Sequence, residues 1–237
     1  MTGAMPSPLI LLCGLTNTPE LWAGMRQHLG SDIVTKAPRL PVDTDVDAIA
    51  RTLLGDAPAR FHLCGYSFGG YIALAILAAA PHRVDSLTLL CSTPRADGKE
   101  QIAQRRRTIE RIQSGDYHAI IAEQDRWMFH PENKANAALI DLRNTMANDY
   151  GPTAMTAHLM ASISRPDRSA GLRGHHPRVM MIAADNDVLF SVESQRRIAA
   201  DIQADRFEVI ERAGHGAPLE RPEAIARILN QWIRGDS

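Results

Sequence analysis

The sequence predicts an α/β fold: a mostly parallel sheet of about six strands, flanked by helices on both faces and interrupted by one helical insertion. Three observations carry that prediction. Apolar runs of strand length alternate with stretches of helical spacing. The strand-like runs are nearly unbroken in Leu, Ile, Val and Met, as strands buried on both faces require. Thirdly, Phe61-His62-Leu63-Cys64 passes through Gly65-Tyr66-Ser67-Phe68-Gly69-Gly70 into a long alanine-rich stretch, so a strand turns into a helix within about one residue.

In chain order, Leu9 to Cys13 forms the first strand and ends in the polar loop Gly14 to Pro19. A helix is expected from Trp22 through about Leu29, then a weaker strand over Ile33 to Ala37 and a loop over Pro38 to Asp43. Val46, Ile49, Ala50, Leu53 and Leu54 share one helical face. The helix opened by Phe68 runs through Tyr71, Ile72, Leu74 and Leu77 and is closed by Pro81, and Ser86 to Cys91 is the next strand. From Arg95 to Arg173 the chain is polar, helix-favouring and free of strand signals, which divides it into a core of residues 1–94 and 174–237 and a helical insertion of residues 95–173. Alternation resumes with the strand Arg178 to Ala184, a helix from Val192 to Ile202, the strand Arg206 to Ile210 and a helix from Glu223 to Ile233.

Composition narrows the function classes. The formal net charge of −1 and the absence of a persistent basic stripe argue against a nucleic-acid partner. Leu9 to Cys13 is too short for a membrane span and no positive segment precedes it, so neither a signal peptide nor a membrane anchor is expected. The three cysteines, Cys13, Cys64 and Cys91, each fall in a strand-like segment, which suggests buried reduced thiols and a cytoplasmic location. His130, His158, His175 and His176 lack metal-ligand spacing and read as surface or loop residues, and no metal or cofactor is expected.

The chemistry concentrates in three places. Gly65-x-Ser67-x-Gly69 is the pattern of a nucleophile elbow. A fold-back of that sharpness puts Ser67 in a sparsely populated backbone conformation and needs side-chain-free neighbours. Its hydroxyl then lies beside the positive end of the following helix, where a developing oxyanion is stabilised. Functional residues of parallel sheets gather beyond the carboxyl ends of the strands. Asp185 and Asp187 follow one such end and His215 another, giving the chain order serine, acid, histidine.

With these residues the chain resembles the α/β-hydrolase superfamily over nearly its whole length. The resemblance rests on Leu11-Leu12-Cys13-Gly14 with Trp22, the elbow Gly65 to Gly70, Asp187, and Gly214-His215 followed by Glu220-Arg221-Pro222. It implies Ser67 as nucleophile, His215 as general base and then acid, and Asp187 as the carboxylate orienting His215. Asp187 is favoured over Asp185 because Ala184-Asp185-Asn186-Asp187 matches a G-x-x-D spacing, which leaves Asp185 to cap the loop. The oxyanion hole implied is the backbone N–H of Phe68 with that of Leu15. Cys13 stands where most relatives have His, Pro38 to Asp43 is shorter than the usual D-x-x-G-x-G-x-S loop, and the leading antiparallel hairpin of the family is expected to be missing.

The insertion falls where the family carries a helical cap over the active site, with Trp127, Met128, Phe129 and Met160 as candidate pocket lining or, equally, as packing within the cap. Arg105-Arg106-Arg107 reads as a solvated helix face, with contact to an acidic substrate as the alternative, and Arg165 to Arg168 as a turn. The activity implied is hydrolysis of a small carboxylic ester, thioester or lactone. Carbon–carbon bond hydrolysis and cofactor-free lyase chemistry use the same triad, and a ligand receptor on the same scaffold is the non-enzyme alternative. The substrate is expected to be a small molecule, and the sequence leaves it and the oligomeric state unassigned.

Overall fold

The computed structural model describes residues 7–173 and 177–235. Six strands form one sheet in the order β2-β1-β3-β4-β5-β6, and every pairing in it is parallel. They are β1 (Leu9–Leu12), β2 (Thr35–Lys36), β3 (Phe61–Tyr66), β4 (Val84–Leu90), β5 (Arg178–Ala184) and β6 (Arg206–Ile210). All residues of β1 and β3 are buried, consistent with their unbroken apolar runs and with helices on both faces. One face packs α2 (Val46–Gly55), α3 (Phe68–Ala79) and α7 (Val192–Asp201) through Ile49, Ile72, Ile76 and Ile198. The other packs α1 (Ala23–Arg26) and α9 (Pro222–Arg234) through Trp22, Met25, Ile225, Leu229 and Trp232.

Strand register places the functional loops at one edge. Leu12 pairs with Gly65, Tyr66 with Leu90, Leu90 with Ile182 and Ala184 with Ile210, so β1, β3, β4, β5 and β6 end side by side. Several sequence boundaries move. The expected first helix divides into a 3₁₀ turn at Pro19–Trp22 and α1, which stops at Arg26. The edge strand β2 keeps two residues of the five expected, and Val34 beside it is 54% exposed. A short helix, α8 (Ala217–Glu220), follows His215 unannounced by any run of helical spacing.

Between β4 and β5 the described residues contain no strand. They form α4 (Lys99–Gln113), α5 (Tyr117–Met128) and α6 (Ala137–Ser164), the last broken at Gly151, whose φ of 77° is followed by Pro152. Ile112, Tyr117, Ile120, Ile121, Ala147, Met155 and Leu159 give these helices a small apolar core of their own. Among the described residues no helix is long and apolar enough to cross a membrane.

Candidate active site

The turn from β3 into α3 shows why the elbow needs its residue types. Ser67 sits at φ 50°, ψ −117°, a conformation that side chains other than glycine's strongly disfavour. A Cβ on Gly65 would lie 2.4 Å from the Gly69 carbonyl oxygen, and one on Gly69 would lie 2.3 Å from that of Leu12. Hydrogen bonds hold the strained turn: Ser67 N–H donates to Leu90 O at 2.9 Å and the Ser92 hydroxyl donates to Ser67 O at 2.7 Å. Gln195, fully buried, donates in turn to Ser92 O at 2.8 Å.

Ser67, His215 and Asp187 form a hydrogen-bonded line. His215 Nε2 is 3.0 Å from Ser67 Oγ, and His215 Nδ1 is 2.8 Å from Asp187 Oδ2. Asp187 is buried, which opposes its ionisation. The adjacent His215 ring and the N–H groups of Leu189 and Phe190 outweigh burial and hold the carboxyl below its ordinary range. An ionised carboxylate only accepts, so Nδ1 carries the imidazole proton and Nε2 presents its lone pair to the Ser67 hydroxyl. Leu189 and Phe190 donate to Asp187 Oδ1 at 2.8 and 3.1 Å, which leaves Oδ2 to the histidine.

Asp185 takes the loop role. Its carboxylate accepts from Arg212 N–H at 2.8 Å and Ala213 N–H at 3.0 Å, tying the β5 loop to the one that carries His215. Three further groups fix the histidine. Tyr66 Oη donates to His215 O at 2.8 Å. Buried Glu220 accepts from Gly214 N–H at 2.7 Å and, across to the insertion, from His130 N–H and Asn133 Nδ2, both at 2.8 Å. Gly216 N–H donates to Met128 O at 2.8 Å. Tyr66 lay in plain view inside the elbow motif and Glu220 inside the Gly214 to Pro222 signature, but nothing in the sequence gave either a partner.

Leu15 and Phe68 both line the cavity above Ser67, and among the described residues neither N–H donates to a backbone acceptor outside a helix or strand. Cys13 Sγ lies 3.1 Å from Thr18 O inside the first of these loops, and burial pushes its thiol up to about 12, so it acts as a neutral donor there. Cys91 Sγ, Asp187 and His215 lie within 4.8 Å of one another. Burial, with the Asp187 carboxylate beside it, holds the Cys91 thiol well above its ordinary range.

The cavity has a volume of about 610 Å³, within the range of small-molecule sites. A depression of about 650 Å³ elsewhere, lined by His28, Glu223, Arg227 and Arg234, lies away from Ser67 and His215. The candidate lining residues divide. Trp127 and Met128 face the cavity, with the Trp127 ring centroid 6.5 Å from that of His215. Phe129 does not: it is 1% exposed and packs behind the histidine loop, where a Cβ on Gly216 would meet its ring at 2.9 Å. Met160 is 45% exposed on the outside of α6, while Met155 and Leu159, four apart on the inner face, line the cavity. One residue of helix is a rotation of about 100°, enough to exchange the two faces.

The histidines also need correction. His158 is fully buried in α6 rather than on a surface: its ring stacks on Phe68 at 4.8 Å, and Nε2 donates to Pro41 O at 2.8 Å. It thereby backs Phe68, which lines the cavity. His130 caps the 3₁₀ turn Pro131–Asn133, and His175 and His176 lie outside the described residues. In the arginine run, Arg106 and Arg107 are exposed as read, whereas Arg105 is half-buried and lines the cavity. Arg165, at the C-cap of α6 where the sequence predicts a turn, is buried and lines the cavity as well.

A parallel sheet with a serine elbow and with acid and histidine loops at one edge defines an α/β hydrolase. The model of the alpha/beta hydrolase family matches residues 9–228, and the chain belongs to that family. A pimeloyl-[acyl-carrier protein] methyl ester esterase from Aromatoleum aromaticum is 24% identical over 251 aligned residues, covering 96% of this chain and 98% of that protein. A 2-succinyl-6-hydroxy-2,4-cyclohexadiene-1-carboxylate synthase from Escherichia coli is 26% identical over 196 residues, 78% of this chain and 73% of that one. Among solved structures, a thermophilic esterase from Thermogutta terrifontis superposes with a TM-score of 0.89 at 23% identity, covering 98% of this chain and 91% of that one.

Proposed function

We propose that this chain is a serine hydrolase acting on a small carboxylic ester, thioester or lactone through an acyl-enzyme. The observation that carries the reading is the line Ser67 Oγ, His215 Nε2, His215 Nδ1, Asp187 Oδ2 at 3.0 and 2.8 Å, opening on a cavity of small-molecule size. Ser67 Oγ attacks the carbonyl carbon as its proton passes to His215 Nε2. The resulting oxyanion takes the N–H groups of Leu15 and Phe68, and Asp187 stabilises the imidazolium. Collapse expels the alcohol or thiol, which takes the proton from Nε2. Water then loses a proton to His215 and attacks the acyl carbon. The acid leaves, and the proton returns to Ser67. Residues 95–173 act as a cap that shapes the pocket, with Trp127 and Met128 among its lining, and the protein works in the cytoplasm without a metal or cofactor.

The named esterase relative supports ester chemistry, and the synthase relative favours a second reading in which the same residues serve carbon–carbon cleavage or lyase chemistry. Hydrolysis of p-nitrophenyl esters of increasing acyl length, by wild type and Ser67→Ala, tests the first. Turnover that disappears in the variant is expected. Serine labelling by a fluorophosphonate without ester turnover would move the assignment to the second reading, and absence of both would leave a ligand receptor.

A further inference from the structure

One wall of the cavity carries charge that ester cleavage does not use. Arg105 of α4 and Arg165, just past α6, share a single carboxylate: Arg105 Nε is 2.5 Å from Asp97 Oδ2, and Arg165 Nη2 is 2.8 Å from Asp97 Oδ1. The side chains of Asp97 and Arg165 are 1% and 4% exposed, and that of Arg105 is 20% exposed. Burial opposes the charge on Asp97, but Arg165 and Arg105 hold its carboxyl below the ordinary range, so it is ionised. Two guanidinium charges against one carboxylate leave one positive charge in a partly desolvated wall.

The two arginines differ in what they have left to give. Arg165 is anchored: Nη1 donates to Ser162 O at 2.7 Å, Nη2 donates to Arg95 O at 2.9 Å, and its guanidinium lies 3.7 Å above the Tyr71 ring. Arg105 gives Nε to Asp97 and makes a side-chain hydrogen bond with Tyr71, which leaves further guanidinium N–H donors for a ligand. The other cations of the cavity are matched. Arg95 pairs with Asp201, and Arg111 grips Glu123 through two contacts of 2.8 Å and reaches Asp116 at 3.3 Å. The reacting end is ringed instead by aromatic groups, with Tyr66, Phe190 and Trp127 centroids 5.3, 5.8 and 6.5 Å from that of His215. Tyr71 lies four residues beyond Ser67, the N-cap of α3, about one turn of helix or roughly 6 Å of axial rise. The unmatched charge and the nucleophile line one cavity of about 610 Å³.

We infer that the substrate bears a carboxylate, held by the terminal nitrogens of Arg105 and set apart from the scissile carbonyl by a short apolar segment. The Asp97–Arg165 pair keeps the Arg105 fork in place. A guanidinium fork matches a carboxylate in two parallel hydrogen bonds, and closing that pair neutralises the wall. This inference rests on the hydrolase reading and names its substrate class: half-esters or half-thioesters of short dicarboxylic acids.

The test compares monomethyl esters of succinate, glutarate, adipate and pimelate with the corresponding dimethyl esters, for wild type, Arg105→Lys and Arg105→Gln. The expected result is at least a tenfold higher kcat/KM for one half-ester than for its neutral diester. Arg105→Gln should cut half-ester turnover at least tenfold more than diester turnover, mainly through KM, with Arg105→Lys between. Diesters cleaved as well as half-esters by wild type would overturn the carboxylate site and leave the hydrolase intact. So would equal losses on both esters in Arg105→Gln. Should Arg105→Gln fail to fold, wild type and Arg105→Lys decide on the same criterion. If neither ester is cleaved, calorimetric binding of the free dicarboxylates to Ser67→Ala decides: saturable binding weakened by Arg105→Lys supports the site, and no binding overturns it. Fluorophosphonate labelling of wild type scores the hydrolase reading separately.

Discussion

The strand-end loops and the helical insertion face each other across one cavity and are held by different means. The loops are fixed by backbone: a strained turn at Ser67, parallel register that ends five strands together, and carboxylates of Asp185 and Glu220 that accept loop N–H groups. The insertion is fixed by side chains, through its own apolar cluster and through buried charges such as Arg143, which donates to Gln124 Oε1 at 2.8 Å and to Asp125. Backbone constraints tolerate few residue types and side-chain packing tolerates many. On the proposed reading, the reacting groups therefore sit on the side with little freedom, and the selecting groups on the side with more. Glu220 joins the two, since one of its oxygens holds the histidine loop and the other holds His130 and Asn133 of the insertion.

Substitutions on the loop side should strike the chemistry hardest. Ser67→Ala is expected to lower kcat/KM for a p-nitrophenyl ester by about 10⁴-fold or more, with the melting temperature little changed. Asp187→Asn keeps the shape and loses the charge that sets the His215 tautomer, and should cost about 10³- to 10⁴-fold in kcat. An unchanged rate in steady-state assays of that variant would hand the orienting role to another carboxylate. Gly65→Ala places a methyl group against the Gly69 carbonyl, a backbone atom that cannot step aside, and should destabilise the fold by about 3 kcal/mol or more in urea titrations.

On the insertion side the effects should be smaller and of another kind. Leu159→Ala removes part of the cavity wall and of the insertion's core at once. About 2–3 kcal/mol of stability and a shift of the preferred acyl length are expected, while fluorophosphonate labelling of Ser67 persists. The smallest effect is a pH slope. Burial lowers the pKa of His158, and of His62 in β3, below the ordinary histidine value of 6.5, so the fold prefers both rings neutral. The unfolded chain then takes up protons first. Their contribution is present in full above pH 6.5 and is lost as pH falls from there through the folded values. Urea midpoints should fall between pH 7.5 and 5.5, and less steeply in His158→Gln.

The same contrast explains what was legible in the sequence. Strands β1, β3, β5 and β6, the elbow and the order of serine, acid and histidine could be read because each is written in residues close together in the chain. Glycine spacing, apolar runs and an acid at a strand end are local signals. The pocket was not legible to that degree. Its faces depend on how α4, α5 and α6 turn against one another, so Met160 proved to face solvent while Leu159 faces the cavity. The depth of His158 and Arg165 arises from partners far along the chain, Pro41 and Asp97, which no periodicity links to them.

The central claim is that Ser67 is an activated nucleophile served by His215 and Asp187. The most direct measurement is intact-protein and peptide mass spectrometry after brief exposure to a fluorophosphonate, on wild type, Ser67→Ala and Asp187→Asn. A single adduct on the peptide that contains Ser67 is predicted, absent from Ser67→Ala and formed far more slowly in Asp187→Asn. An unlabelled wild type, or a label on any other residue, would contradict it.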